Sequence, residues 1–283
     1  MLIRSLVLVL VVAPSLAAQD TIVTKPASPR VTVGLTTGTM GFSDQRVEQG
    51  VTGVLRYHIG RALSAAVSPT FARVAFPSTL GGGSVSGLTD LPVELAGDHT
   101  FETPWSPTVG ISLGASLPVG DKQAGFGTGA VGAEVGVGLG LSPLDPLSFH
   151  LGAGKSLNDY SLYSALGASS SAWGDLEASY QLLDRLEATA GIEGDIASED
   201  SIGPSRAVAF SLAMMLAGPY TVTLSGGHGI SGAAARWTLA IGFGTDFAGM
   251  QALASSSPIQ RFMRSLGGGS NKGRGNSAHG KGP

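Results

Sequence analysis

Val131-Gly132-Ala133-Glu134-Val135-Gly136-Val137-Gly138-Leu139-Gly140-Leu141 puts an apolar side chain at every odd position and a glycine or an acid at every even one. That alternation is the period of a strand with two unlike faces; on a helix the same apolar residues would scatter around the whole surface. The pattern recurs. Trp237 to Gly244 places Trp237, Leu239, Ile241 and Phe243 against small or polar partners, and residues 109–117 place Val109, Ile111, Leu113, Ala115 and Leu117 against Gly110, Ser112, Gly114 and Ser116. Leu186, Ala188, Ala190 and Ile192 alternate with Glu187, Thr189, Gly191 and Glu193. Extended along the chain, the reading gives twelve strands, near 30–40, 47–59, 62–75, 87–97, 107–117, 129–141, 146–155, 171–182, 185–196, 206–217, 219–227 and 234–247.

Composition narrows the setting. Glycine supplies 43 of 283 residues, yet mean hydropathy is positive. Disordered glycine-rich chains are polar, so another explanation is needed. A membrane barrel satisfies both facts, with an apolar outer face and small residues leaving room inside. The formal net charge of −3, with 13% charged residues, argues against a nucleic-acid surface. There is no cysteine, hence no disulfide framework and no thiolate metal site. The most apolar stretch beyond the N-terminal region, Ala207 to Leu216, is far too short for a membrane helix. A membrane protein without such a helix satisfies its backbone in lipid only by closing a sheet on itself.

The N-terminus has the three parts of a secretory signal: Arg4, the aliphatic run Leu6 to Val12, and Ser15-Leu16-Ala17 as a cleavage site. The expected organisation is a signal peptide over 1–17, a periplasmic segment over 18–29, the barrel over 30–247, and a disordered Gly/Ser-rich basic tail over 248–283. Connections alternate in length. Gly60-Arg61, Ser142 to Asp145, Leu183-Asp184 and Gly218 are tight; Pro77 to Ser86, Gly120 to Thr128, Leu157 to Ser170 and Ser198 to Ser205 are longer. Short turns on one side and longer loops on the other mark an outer-membrane barrel, and an even strand count leaves both chain ends in the periplasm. Asp98 to Ser106 is the exception, a longer connection on the short side. Aromatic residues fall near strand ends (Tyr57, Phe71, Phe101, Trp105, Tyr180, Tyr220, Trp237 and Phe247), as interfacial girdles require. The fold class expected is all-β, a transmembrane antiparallel up-and-down β-barrel of about 12 strands in the bacterial outer membrane.

A set of short motifs carries a family resemblance. Gly87-Leu88-Thr89-Asp90-Leu91 is followed by the strand Pro107 to Leu117, then by Pro118-Val119-Gly120-Asp121-Lys122 and Gly125-Phe126-Gly127-Thr128-Gly129. With Gly226-Gly227-His228-Gly229-Ile230-Ser231 near the end, that order resembles the outer-membrane β-barrel transporter family named for the meta-cleavage pathway of phenol degradation. The resemblance covers roughly Arg30 to Phe247 and implies an uptake barrel for small, often apolar compounds. Two departures stand out: Val119 replaces the usual threonine, and the last strand ends at Phe247 rather than at the C-terminus. The second bears on recognition of the last strand by the barrel-assembly machinery, which Phe247 would have to serve internally.

Motif chemistry is sparse. Gly127 to Gly132 matches G-x-G-x-x-G in letters, but a loop precedes it and a strand follows, the reverse of a dinucleotide fingerprint. His58, His99, His150, His228 and His279 are scattered without metal-ligand spacing, and the one G-x-S-x-G match, Gly110-Ile111-Ser112-Leu113-Gly114, lies within an alternating strand and not at the strand-to-helix turn of a nucleophile elbow. No cofactor, metal or catalytic residue is expected. The informative residues are polar ones at inward strand positions: Arg56, His58, Asp90, Glu94, Glu134, His150, Asp175, Glu177, Glu187, Glu193 and Arg236. A charge facing lipid costs a few kcal/mol near midplane, so these groups should line the lumen. They form either an acidic conduit favouring cations and weakly polar solutes, or pairs that plug the interior. The function expected is a passive channel or uptake pore for small, in part apolar, molecules. The alternatives are a closed structural or adhesive barrel and a barrel enzyme acting on lipid through Ser148 and His150. The partners expected are outer-membrane lipid, the barrel-assembly machinery and a small-molecule solute, with no nucleic acid.

Overall fold

The computed structural model of the chain describes residues 31–59, 62–144, 146–159, 169–198, 204–216, 219–231 and 234–245, with the backbone alone at 157–159, 169–171 and 198. Among these are fourteen strand segments: β1 (Val31–Gly41), β2 (Val47–Ile59), β3 (Leu63–Val67), β4 (Thr70–Ala75), β5 (Ser84–Leu88), β6 (Leu91–Thr100) and β7 (Thr108–Leu117), then β8 (Gly132–Leu144), β9 (Leu147–Asp159), β10 (Ser169–Leu183), β11 (Leu186–Ser198), β12 (Arg206–Met215), β13 (Tyr220–Gly229) and β14 (Trp237–Thr245). Each pairs antiparallel, and β1 pairs with both β2 and β14, so the ring closes; among the described strands β5 has a strand partner, β4, on one side only. The first half of β2 pairs with β4 and the second with β3, while β5 and β6 pair with β4 and β3. β3 with β4, and β5 with β6, are therefore halves of two interrupted staves, and the barrel has twelve.

The two interruptions were not anticipated. Pro69 has no N–H to give the ladder, and the chain breaks there between Val67 and Thr70. The gap is bridged locally: Gly53 N donates to the Pro69 carbonyl at 3.0 Å and Ser68 N to that of Pro92 at 3.1 Å. In the adjoining stave Thr89 N donates to Thr70 O at 3.0 Å, whereas Asp90 N leaves the ladder for Phe126 O, at 3.2 Å. Elsewhere the expected strands stand, with ends displaced by a few residues. β5 begins at Ser84, which shortens the loop expected over 77–86, and β6 runs to Thr100, which leaves residues 101–107 as the long connection on the short-turn side. The signal peptide, the 18–29 segment, Phe247, the tail from 248 and the tyrosines at 160 and 163 lie outside the described residues.

Burial is inverted relative to a water-soluble domain. Leu35, Leu55, Ile111, Leu113, Val137, Phe210 and Ile241 are exposed, while Thr32, Thr36, Ser112, Ser156, Thr223 and Ser225 are buried. Residues directly opposite in an antiparallel pair share a face, so the inward set propagates from stave to stave: Thr36 faces Thr52 and Gly242, Ser112 faces Ala96 and Gly136, and Ser211 faces Thr189 and Ser225. Hydroxyl pairs link inward rows at Thr52–Thr70 (2.7 Å) and Ser179–Thr189 (2.8 Å). Trp173 and Asp195 are inward by the unbroken register that pairs Asp175 with Glu193, and a bulge at Ile196 on β11 follows, where Ala172 opposes Ala197. Tyr57, Phe149, Tyr180, Tyr220 and Phe243 form an exposed aromatic band near the short-turn end, with Tyr220 and Phe243 stacked at 5.5 Å.

This inversion makes a specific demand on Leu113, which is outward on β7 and 55% exposed. Leu113→Arg should cost about 2–4 kcal/mol of folding free energy in a bilayer. Leu113→Ala should cost much less. Equilibrium denaturant titration in lipid vesicles measures both, and equal costs would mean that this face does not meet hydrocarbon.

Candidate functional site

With the wall closed and its outer face apolar, the chemistry of the chain lies in the interior. One continuous inward row runs Thr32, Arg56, Ala66, Glu94, Gly114, Glu134 and Ser156 across β1, β2, β3, β6, β7, β8 and β9. Arg56 and Glu94 are not adjacent in that row. Ala66 lies between them, and its small side chain lets the guanidinium reach across, with Nη2 3.6 Å from Oε1. Both side chains are over nine-tenths buried. Buried charges of this kind persist only when paired.

The β9–β11 wall carries the second polar group. His150 Nε2 lies 3.5 Å from Asp175 Oδ2, and His150 directly opposes Glu177 in the ladder. Glu193 opposes Asp175 and Glu187 opposes Gln181, so carboxylates gather on β10 and β11. Next to them Trp173 is buried, its ring lying over the neighbouring staves at Gly154 and Gly136. A Cβ at Gly154 would collide with the indole, and one at Gly136 would stand 3.4 Å from it. Two glycines in the wall thus make room for the largest inward side chain.

The long-loop end of the interior is different: apolar and filled. Met40, Ala72, Val74, Phe126 and Ala240 are buried together, with Phe42, Phe76, Ala124 and Ala235 packed against them. Arg46 closes this cluster on one side, its guanidinium 4.1 Å over the Phe42 ring and its Nε 3.2 Å from Glu48 Oε1. Phe126 does not belong to the wall. It comes from the loop over 118–131, which turns into the barrel and buries that ring completely.

Asp90 fixes the loop in place. Its Oδ1 accepts from Gly120 N at 3.0 Å, and its Oδ2 accepts from Thr128 N at 2.8 Å and from the Thr128 hydroxyl at 2.9 Å. Its own N–H donates to Phe126 O. A carboxylate holding both ends of a loop by charge-assisted bonds is a strong clamp. The approach is so close that no side chain fits at Gly120 or Gly127: a Cβ would stand 2.7 Å from Asp90 N in the first case and 2.8 Å from Asp90 Oδ1 in the second. The break in the stave between β5 and β6 is where this carboxylate enters the interior.

Of the residues expected in the lumen, Arg56, Asp90, Glu94, Glu134 and His150 are buried inside. Asp175, Glu177, Glu187 and Glu193 occupy inward, half-buried positions on β10 and β11. Arg236 has the inward parity but precedes β14; it is exposed at the long-loop mouth, its N–H donating to Gly41 O. The structure brings together Arg56 with Glu94 and His150 with Asp175, and gives Asp90 a loop to hold. Sequence reading passed over Arg46, Glu48, Asp195 and Trp173, all at inward parity in or beside strands already assigned; Trp173 stands two residues from Asp175 on the same face. Nothing in the local pattern marks Phe126 as an interior residue.

No protein-family model matches the chain, and no curated protein matches it. Among solved structures, an outer membrane channel from Pseudomonas putida F1 is similar at 12% identity, with 80% of this chain and 99% of that one covered and a TM-score of 0.60. The NanC porin is similar at 10% identity, with 76% of this chain and 99% of that one covered and a TM-score of 0.52. At these identities the likeness is one of fold: the chain is a closed antiparallel barrel of the outer-membrane type.

Proposed function

We propose that the chain is a non-enzymatic outer-membrane channel through which small solutes pass passively, with the loop over 118–131 setting the constriction. The observation that carries this reading is the Asp90 clamp. The long-loop end of the interior is narrowed by a loop folded in from outside and held at its two ends, packed on the wall residues Met40, Ala72, Val74 and Ala240.

Two surfaces would meet a solute in turn. The mouth offers the apolar group around Met40, Phe42 and Phe126, which accommodates weakly polar molecules. Beyond it lie the carboxylates of β10 and β11, which favour cationic or uncharged solutes over anions. The family resemblance gains support from the same place. Gly87, Asp90, Gly120, Phe126, Gly127 and Thr128, scattered over the motifs, converge on one clamp: a Cβ at Gly87 would stand 3.0 Å from the Phe126 ring. Residues that must meet in space have reason to recur together in sequence, so membership of the phenol meta-cleavage transporter family is part of the proposal. Localisation follows from the fold and the loop asymmetry, with the long loops facing outward, and from the signal-like N-terminus.

Planar-bilayer recording tests the reading. The wild-type barrel should conduct, and a complete absence of current at any voltage would sink the channel reading in favour of a closed structural barrel. Asp90→Ala removes three accepted bonds, about 3 kcal/mol or more of loop anchoring, and should raise single-channel conductance. Asp90→Asn keeps one acceptor oxygen and should fall between. In the carboxylate wall, neutralising Glu177 and Glu193 together to Gln should lower the cation-to-anion permeability ratio, read from the reversal potential in a salt gradient. A lipid-hydrolysis assay of Ser148→Ala and His150→Ala addresses the enzymatic alternative, which requires activity in the parent and its loss in both.

A further inference from the structure

Charge is sorted between the two faces of the wall. Among the described side chains, every strand Asp and Glu occupies an inward position: Glu48, Glu94 and Glu134 on the early staves, and the carboxylates of β10 and β11 on the later ones. Even Asp98, near the short-turn mouth, opposes inward Gly110. The outward face carries full charge at only three described strand positions, and all three are cations. Arg73 opposes Gln49 and Ser86, Lys155 opposes Val135 and Ala172, and Arg206 opposes Gly194. Each side chain is exposed, and each lies toward the long-loop end of its strand. The opposite end of the same face bears the aromatic band instead. Both rims thus carry rings, Trp237 standing at the long-loop end, but among the described strands only the long-loop end carries cations at outward positions.

Lipid tails do not tolerate these side chains, but their long stems let the charged heads rise to the headgroup level. With no outward carboxylate on the described strands to neutralise them, they present a positive belt where lipid headgroups lie. We propose that Arg73, Lys155 and Arg206 bind the phosphate groups of a phosphorylated glycolipid of the outer leaflet, the lipid A class. The inference rests on the outer-membrane reading above with its long loops outside, but not on whether the lumen conducts. Guanidinium forks suit phosphate oxygens, and both arginines are partly oriented by the wall. Arg73 Nη2 lies 3.3 Å from Ser84 Oγ, and Arg206 Nε donates to Asp195 O at 3.1 Å, which leaves further donors on each guanidinium. The three positions, on β4, β9 and β12, are spread around the circumference, so the belt engages several lipid molecules rather than one.

The test uses the full barrel refolded in detergent, with diphosphoryl lipid A and its dephosphorylated analogue as probes, bound lipid being counted by native mass spectrometry. The wild type should retain diphosphoryl lipid A and release the dephosphorylated form. Arg73→Gln, Lys155→Gln and Arg206→Gln combined should weaken retention by about tenfold to a hundredfold, and rising salt should weaken the wild type in the same direction. Inorganic phosphate at millimolar level should not displace the lipid. Equal retention of the two lipids, or undiminished binding by the triple variant, overturns the proposal. Heat-modifiable gel migration establishes that the variant has folded; should it not fold, Lys155→Gln alone, at an exposed position, is read in the same assay. Conductance of the triple variant separates this proposal from the channel reading: lipid retention should fall while conductance stays at the wild-type level.

Discussion

Closure of the sheet between β1 and β14 is the constraint on which the rest of the molecule depends. Hydrocarbon offers no hydrogen-bond partner, so any strand left at an edge would carry a row of orphaned backbone groups. Gly34 opposite Gly244 and Thr39 opposite Leu239 end that row by joining the first strand to the last. Once the ring is closed, each strand has one face in lipid and one in the lumen, and the alternation of every strand must agree with its neighbours. The Thr, Ser and Gly rows inside and the Leu, Ile and Val rows outside are that agreement seen residue by residue.

Inside the ring, volume decides what can meet. An interior of twelve staves accepts some bulk and not much more. Trp173 enters because Gly136 and Gly154 stand under it, and Arg56 reaches Glu94 because Ala66 lies between them. The loop carrying Phe126 enters because a stave is interrupted at Asp90, whose carboxylate and N–H turn inward to hold it. An interruption that weakens the ladder in one place thus supplies the anchor for the mouth. The interior consequently holds an apolar, loop-filled group at the long-loop end, bordered by the Arg46–Glu48 pair and the Asp90 carboxylate, and a set of carboxylates on β10 and β11.

The outer face follows a simpler rule. Apolar groups occupy the middle, the short-turn end bears an aromatic band, and the long-loop end bears Trp237 and the outward strand cations. Among the described strands the acids are kept inside. This sorting needs no contact among the residues concerned, only the parity of each strand and the position of each residue along it.

Parity was legible in the sequence because it is local. Glu134 between Ala133 and Val135, or Glu187 between Leu186 and Ala188, declares its face through its immediate neighbours, and so the all-β class, the twelve staves and the inward set could be read without coordinates. The strand interruptions were not legible, since Pro69 alone does not tell whether the chain leaves the wall or resumes it two residues later. Nor was the clamp, because Asp90, Gly120 and Thr128 meet only when the register of three staves brings them to one height and a loop bends inward. By itself the sequence determined which way each strand residue faces, a consequence of a two-residue period. The tertiary structure alone decided which inward residues touch, because partners across a lumen are set by register, by the room that glycine and alanine leave, and by where a loop can enter.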